Sequence, residues 1–213
     1  MMSELQLKQL ELGPMANFAY LLWDADSLEC AVVDPGWEAP MILEAVSGLS
    51  LKITKILLTH HHPDHCNGVA ELLSRTEAVV CLHEKDAVGL ADGERWIPVQ
   101  DGTRIALGGA EILCVHTPGH TEGSQCFLAG NFLLTGDTLF IREVGRVDLP
   151  GSDPDKMYGS LRKLAELPAS LTVCPGHHYG PERSATLATE REMNPYLRAC
   201  LTMGPADFRK VVL

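Results

Sequence analysis

Histidine and aspartate side chains are concentrated in one short stretch of the chain, THHHPDHC at residues 59–66. Four of the nine histidines and one aspartate lie there, directly after the apolar run ITKILL. Imidazole and carboxylate are ligands that borderline metals such as Zn²⁺ prefer, at about 2.0–2.2 Å. Packing several imidazoles together without a metal would cost desolvation energy, which disfavours a merely solvated loop. The stretch therefore predicts a metal site, with His61 facing away because alternate extended residues point to opposite sides.

Three further segments place a histidine or an aspartate at the end of an apolar run. VHTPGHTEGS contains His120, FLLTGDTLF contains Asp137, and LTVCPGHHYG contains His177. A glycine next to each lets the backbone approach closely. With the first stretch they make a set of five histidines and two aspartates at predicted strand ends: His60, His62, Asp64, His65, His120, Asp137 and His177. This set is large enough for two metal ions and too large for one.

Short β-type runs alternate with helical segments along the chain. Strands are predicted at 18–23, 28–34, 53–58, 78–83 and 171–174, with two each within 102–116 and 125–137. Helices are predicted at 39–49, 68–75, 152–167 and 182–201, the last with a break at Asn194-Pro195. Strand-rich halves, each closed by helices, indicate two sheets packed face to face with helices outside. Because no Gly/Ser/Pro-rich linker divides the chain, we predict one domain spanning residues 1–213.

Composition excludes several classes of partner. The net charge is −11 and no run of Lys or Arg occurs, which argues against nucleic acid. No segment approaches the ~20 apolar residues of a membrane helix, and the N-terminal residues do not resemble a signal peptide. The seven cysteines form no C-x-x-C pair, which favours reduced thiols. These observations predict a cytoplasmic protein without a nucleic-acid or membrane partner; monomer and homodimer both stay open.

The order of the motifs resembles the metallo-β-lactamase superfamily. The motifs are T-H-x-H-x-D-H at 59–65, T-P-G-H-T at 117–121, T-G-D-T at 135–138 and P-G-H at 175–177. The resemblance implies an α/β (α+β) protein with a four-layer αββα sandwich. It also implies a first metal bound by His60, His62 and His120, a second bound by Asp64, His65 and His177, and Asp137 bridging both. Zinc is the favoured metal, with iron and manganese open.

The same resemblance implies a reaction. Two divalent ions lower the pKa of a shared water toward ~7, and the resulting hydroxide attacks a polarised carbonyl. Asp64 and Asp137 would orient that water or carry its proton, as catalytic residues.

Within the superfamily, GDTLFIREVGRVDLPGSDPDKMYGSLRKLAELP and EREMNPYL are similar to the glyoxalase II group and to the persulfide dioxygenases. Arg146 and Tyr179 match residues that contact glutathione in glyoxalase II, so both are predicted to bind substrate. We therefore predict a dinuclear hydrolase of a thioester such as S-2-hydroxyacylglutathione. A mononuclear iron persulfide dioxygenase and a lactone or β-lactam hydrolase are the alternatives. Asp148 stands where the longer glyoxalase II enzymes have an aromatic residue, and their C-terminal helical domain has no counterpart here, so another thiol carrier or a small ester stays open as the substrate.

Overall fold

The computed structural model describes residues 4–87 and 95–213. Its first sheet holds six strands side by side in chain order: β1 (Leu5–Leu12), β2 (Asn17–Asp24), β3 (Glu29–Val33), β4 (Lys52–Leu57), β5 (Val79–His83) and β6 (Trp96–Val99). Strands β1, β2 and β3 pair antiparallel, whereas β3 to β6 pair parallel. The parallel part brings the carboxyl ends of β3, β4 and β5 to the same edge of the sheet.

The second sheet also has six strands within the described residues: β7 (Arg104–Leu107), β8 (Ala110–His116), β9 (Gln125–Ala129), β10 (Phe132–Gly136), β11 (Thr172–Pro175) and β12 (Ala185–Thr186). Neighbours in the chain are again neighbours in the sheet. Strands β7 to β10 form an antiparallel meander, and β11 runs parallel to β10. Strands β10 and β11 therefore end at the same edge.

Helices cover the outer faces of both sheets. They are α1 (Ala39–Gly48), α2 (Pro63–Cys66), α3 (Val69–Arg75), α4 (Pro154–Ala165), α5 (Leu187–Met193), α6 (Pro195–Thr202) and α7 (Pro205–Val212), with a 3₁₀ turn at Glu84–Asp86. Asp153 caps α4, accepting hydrogen bonds from Asp155 N at 2.8 Å and Lys156 N at 3.1 Å. None of the helices in the described part of the chain has both the length and the apolar character needed to cross a membrane.

Among the described residues, three apolar clusters hold the layers together. Phe18 of β2 and Phe127 of β9 belong to the cluster between the sheets, and Leu21 of β2 faces the cluster under α1 and α3. A third cluster packs α4 to α7 against the second sheet, with Leu161 and Phe208 fully buried. Strand β2 is thus buried on both faces, which explains its nearly unbroken apolar sequence. The four-layer αββα sandwich of the sequence prediction is confirmed.

Several elements differ from the prediction. Strands β1 and β6 and helix α7 were not expected from the sequence. Residues 182–186 were expected to be helical, but Ala185–Thr186 pairs with β11 instead, and helix α5 begins only at Leu187. The hydroxyl of Thr186 caps α5 by accepting a hydrogen bond from Thr189 N at 3.1 Å. An available strand partner and a cap thus override helical propensity in this segment.

Candidate metal centre

The loop after β4 presents the histidines of the THHHPDHC stretch. His60 is buried (1% exposed), and α2 begins at Pro63, whose fixed φ suits a first helical position. That single turn carries Asp64 and His65, the latter completely buried. His61 points elsewhere, with Nδ1 3.0 Å from Oδ2 of the buried Asp86. His61 thus faces away from the neighbouring histidines, as predicted.

His60, His62 and His120 form the first group of potential ligands. His120 lies in the turn between β8 and β9, and its Nε2 is 2.9 Å from Nδ1 of His62. One nitrogen from each of the three rings lies within 4.8 Å of the others. His60 Nε2 is buried and has no hydrogen-bond partner among the described residues. A buried acceptor with no partner is costly, and a bound metal ion would offset that cost at His60 Nε2.

Asp64, His65 and His177 form the second group. His177 follows β11, and its Nε2 lies 3.1 Å from His65 Nε2 and 3.4 Å from Asp64 Oδ2. His65 Nε2 is 3.5 Å from the same carboxylate oxygen. These separations suit three ligands that share one ion at about 2.0–2.2 Å.

Asp137, directly after β10, lies between the two groups. Its Oδ2 is 3.5 Å from His120 Nε2 and 3.4 Å from His177 Nε2. Its Oδ1 is 3.3 Å from His65 Nε2 and lacks a hydrogen-bond partner among the described residues. The arrangement has the form of a two-ion centre with one shared carboxylate, and the donor set fits divalent metal ions.

The outward-facing ring nitrogens are held by acceptors of the chain. His177 Nδ1 lies 3.0 Å from Met15 O, and His120 Nδ1 lies 2.9 Å from Arg146 O. An Nδ1–H that donates to a carbonyl leaves the Nε2 lone pair facing the centre. This outer support fixes both tautomer and ring orientation.

Asp34, at the end of β3, supports two of the histidines and was given no role by the sequence analysis. Its Oδ2 accepts from Thr59 Oγ1 at 2.6 Å and lies 3.1 Å from His65 Nδ1. Its Oδ1 accepts from Thr59 N at 2.8 Å, and Thr59 Oγ1 is 3.0 Å from His60 Nδ1. The only signal in the sequence was an aspartate that interrupts the apolar run at the end of a buried strand.

The two groups differ in proton affinity when no ion is present. Burial, reinforced by the neighbouring His120, lowers the pKa of His62 to about 4. Burial opposes protonation of His177 too, but hydrogen bonds to Asp137 and Asp64 raise its pKa to about 9. His65 behaves like His177, because its pKa is raised well above the usual value by Asp137 despite complete burial. Both shifts favour the protonated imidazole in the metal-free chain, so a metal ion bound by the second group would compete with protons there.

A pocket of about 320 Å³ opens over the centre, and apolar and polar residues line it: Met15, His62, Pro63, Asp64, His120, Asp137, Phe140, Arg146, Leu149, His177 and Tyr179. The Tyr179 ring stacks on His177 with a centroid distance of 4.5 Å. The guanidinium of Arg146 makes two hydrogen bonds of 2.9 Å to the Asp148 carboxylate. The two residues predicted to bind substrate thus lie on the pocket, and Arg146 is already paired.

Gly176 fits closely behind the shared carboxylate. A Cβ atom added there would lie 2.3 Å from Asp137 Oδ1 and 2.9 Å from His65 Cε1. Any larger residue would therefore push on the shared carboxylate and on His65 of the second group.

Comparison with known proteins places this geometry in a family. The family model described as "Metallo-beta-lactamase superfamily" matches residues 12–177. A probable polyketide biosynthesis zinc-dependent hydrolase, PksB of Bacillus subtilis, is 31% identical over 85% of this chain and 82% of its own length. The hydroxyacylglutathione hydrolase of Cereibacter sphaeroides is 37% identical over 85% of this chain and 70% of its own. The crystal structure of ETHE1 from Myxococcus xanthus superposes with a TM-score of 0.87 at 29% identity, covering 97% of this chain and 89% of that one. The chain belongs to the metallo-beta-lactamase superfamily.

Proposed function

We propose that this chain is a dinuclear metal-dependent hydrolase that cleaves a thioester such as S-2-hydroxyacylglutathione. The observation that carries the proposal is the pair of three-residue groups joined by Asp137. Two buried atoms in it, His60 Nε2 and Asp137 Oδ1, have no hydrogen-bond partner in the described chain. No serine or cysteine nucleophile is needed at such a centre.

The ligands proposed for the first ion are His60, His62 and His120, and those for the second are Asp64, His65 and His177, with Asp137 shared. Divalent ions held there supply Lewis acidity and lower the pKa of water toward neutrality. Asp64 and Asp137 stay ionised, because hydrogen bonds and nearby imidazoles lower both carboxyl pKa values against the effect of burial. An ionised carboxylate beside the reacting carbonyl can take up and pass on a proton.

The substrate would occupy the pocket above the centre. Tyr179 offers an aromatic face and Arg146 a guanidinium at its wall. The match to hydroxyacylglutathione hydrolase supports a thioester, and the match to the PksB hydrolase supports zinc and leaves room for a different thiol carrier. We propose zinc as the resident metal, one domain for residues 1–213, and a cytoplasmic location.

Metal content and turnover test the proposal together. Purified protein should contain two equivalents of a zinc-like metal by mass spectrometry and hydrolyse S-lactoylglutathione to free thiol. Removing the metal with a chelator should abolish turnover, and adding zinc should restore it. Protein with two metal equivalents that leaves thioesters intact would refute the assignment.

A mononuclear iron persulfide dioxygenase is the second candidate. The observation that favours it is the ETHE1 match, which extends over nearly the whole of both chains. It predicts one equivalent of iron, and oxygen uptake that depends on glutathione persulfide. A protein that takes up oxygen in this way without cleaving thioesters would establish this reading in place of the first.

A further inference from the structure

Part of the pocket wall is Phe140, which lies in a tight turn after β10. Its ring meets His177 edge-on at 5.7 Å and Tyr179 at 5.4 Å. The turn closes with a hydrogen bond of 3.0 Å from Phe140 N to Glu143 O. Arg142 adopts a φ of 64°, a left-handed conformation that is costly for a residue with a side chain. A turn with such a residue persists only when its surroundings hold it.

Glu190, from α5, binds this turn from behind. It is completely buried. Its Oε2 accepts the backbone N–H of Arg142 at 2.8 Å, and its Oε1 pairs with the Arg142 guanidinium. A buried carboxylate is costly unless it is paired and hydrogen-bonded, so the contact holds both partners in place.

Asn194, at the junction of α5 and α6, completes the contact. Its Nδ2 donates to Phe140 O at 3.2 Å, to Glu143 O at 3.1 Å and to Glu190 Oε2 at 3.0 Å. Its Oδ1 accepts from the first backbone N–H groups of α6 and so caps that helix. One side chain thereby serves the helix with its oxygen and the turn with its nitrogen.

The loop that follows the candidate ligand His177 rests on the same turn. A Cβ atom at Gly180 would lie only 2.1 Å from Ile141 O, so the two backbones are in direct contact. The turn thus lies between the C-terminal helices and the loop that carries His177 and Tyr179.

We propose that Glu190 and Asn194 are positioning residues that hold the Phe140 turn and thereby fix the pocket wall against which substrate binds. Neither residue belongs to the candidate metal ligands or to the pocket lining, and both act through Phe140. The kinetic part of this inference rests on the proposed thioesterase activity; the structural part does not. The EREMNPYL segment, which the metal centre leaves without a role, acquires one here.

Asn194→Ser separates the two roles of Asn194. Serine is as good a helix N-cap as asparagine, so α6 keeps its cap, but the hydroxyl replaces the amide that donates to the turn carbonyls. Thr186→Ala is the control. It removes the cap of α5, the helix that carries Glu190, but leaves every contact to the Phe140 turn described above in place. The readouts are hydrogen exchange at the Phe140 and Arg142 amides and the kinetic constants for S-lactoylglutathione.

In Asn194→Ser we expect exchange at both amides to accelerate about tenfold or more. We expect KM to rise about three- to tenfold while kcat stays within about twofold and metal content is unchanged. Thr186→Ala should lower the melting temperature, while KM and the exchange rates of the Phe140 and Arg142 amides should stay as in the wild type.

Unchanged exchange in Asn194→Ser would overturn the inference, and so would faster exchange with an unchanged KM. An equal rise of KM in Thr186→Ala would show that general destabilisation is the cause and would also overturn it. If the wild type cleaves no thioester, the proposed activity fails by itself. The inference is then decided by exchange and by a crystal structure of Asn194→Ser, where unmoved Phe140 and Tyr179 rings would refute it.

Discussion

The carboxylate of Asp34 should control the affinity of the centre for the ion that His65 is proposed to bind. Asn at position 34 keeps the volume but replaces one acceptor oxygen with a donor. If the amide nitrogen takes the place of Oδ1 it faces Thr59 N–H, and if it takes the place of Oδ2 it faces His65 Nδ1–H. Either way a buried donor loses its acceptor, at a cost of about 1–3 kcal/mol. A cost of that size corresponds to about a 5- to 160-fold change in an equilibrium constant, a range that includes the about 10- to 100-fold loss of metal affinity usual when an outer partner of a ligand histidine is removed.

Competition with a chromophoric zinc chelator measures two zinc dissociation constants, one for each ion, in the wild type and again in Asp34→Asn. We expect the weaker binding to concern the ion that His65 would hold. Asp24→Asn is the matched control, since Asp24 is also a buried aspartate and accepts from Ser27 Oγ at 2.8 Å and Gly109 N at 2.7 Å. It ends β2 at the edge of the sheet opposite the carboxyl ends of β3 and β4. The control substitution should lower stability and leave metal affinity unchanged. The reasoning would be refuted if a folded Asp34→Asn protein had both zinc dissociation constants within about threefold of the wild-type values.

Three further outcomes are expected. His120→Ala and Asp137→Ala should each remove metal and activity together, and full activity in both would refute the ligand assignment. Gly176→Ala should do the same while the protein stays folded by circular dichroism, because its Cβ would intrude on Asp137 Oδ1; normal metal content would contradict this. In metal-free protein, the raised pKa of His177 means that its contribution to unfolding free energy is complete below the unfolded pKa of about 6.5. That contribution is lost as pH rises through about 9. Urea melts of the metal-free protein should therefore show up to about 3 kcal/mol less stability at the alkaline end. Constant stability over that pH range would contradict the predicted direction of the change.

The sequence located the candidate ligands because each follows a buried strand. His60, Asp137 and His177 come after apolar runs whose carboxyl ends meet at one edge of the sandwich. Spacing alone could not bring His120 to His62, 58 residues earlier, because that contact depends on how the two sheets pack. The division into two groups came from the family resemblance, and the geometry now supplies distances for it. The ligand roles themselves stay a proposal that metal analysis will decide.

Residues whose role depends on a distant partner escaped the sequence analysis. Asp34 and Glu190 are single carboxylates. Apart from the position of Asp34 at the end of an apolar run, nothing in the neighbouring sequence distinguishes them from surface acids until Thr59 and Arg142 are beside them. Strand β1, LQLKQLEL, carries leucines whose alternation changes phase between Leu7 and Leu10, so its pairing with β2 is not evident from periodicity. In each case the missing information was the identity of the neighbour in space.

The two groups of candidate ligands draw on both sheets. In the first group, His60 and His62 follow a strand of the first sheet, whereas His120 follows a strand of the second. In the second group, Asp64 and His65 come from the first sheet and His177 from the second. Neither half of the chain can therefore complete the coordination of either ion. During folding, full coordination has to wait until the sheets have docked through the apolar layer that contains Phe18 and Phe127. Tight metal capture would then be one of the last events of folding, and its rate would report on the meeting of the two halves rather than on the formation of either one.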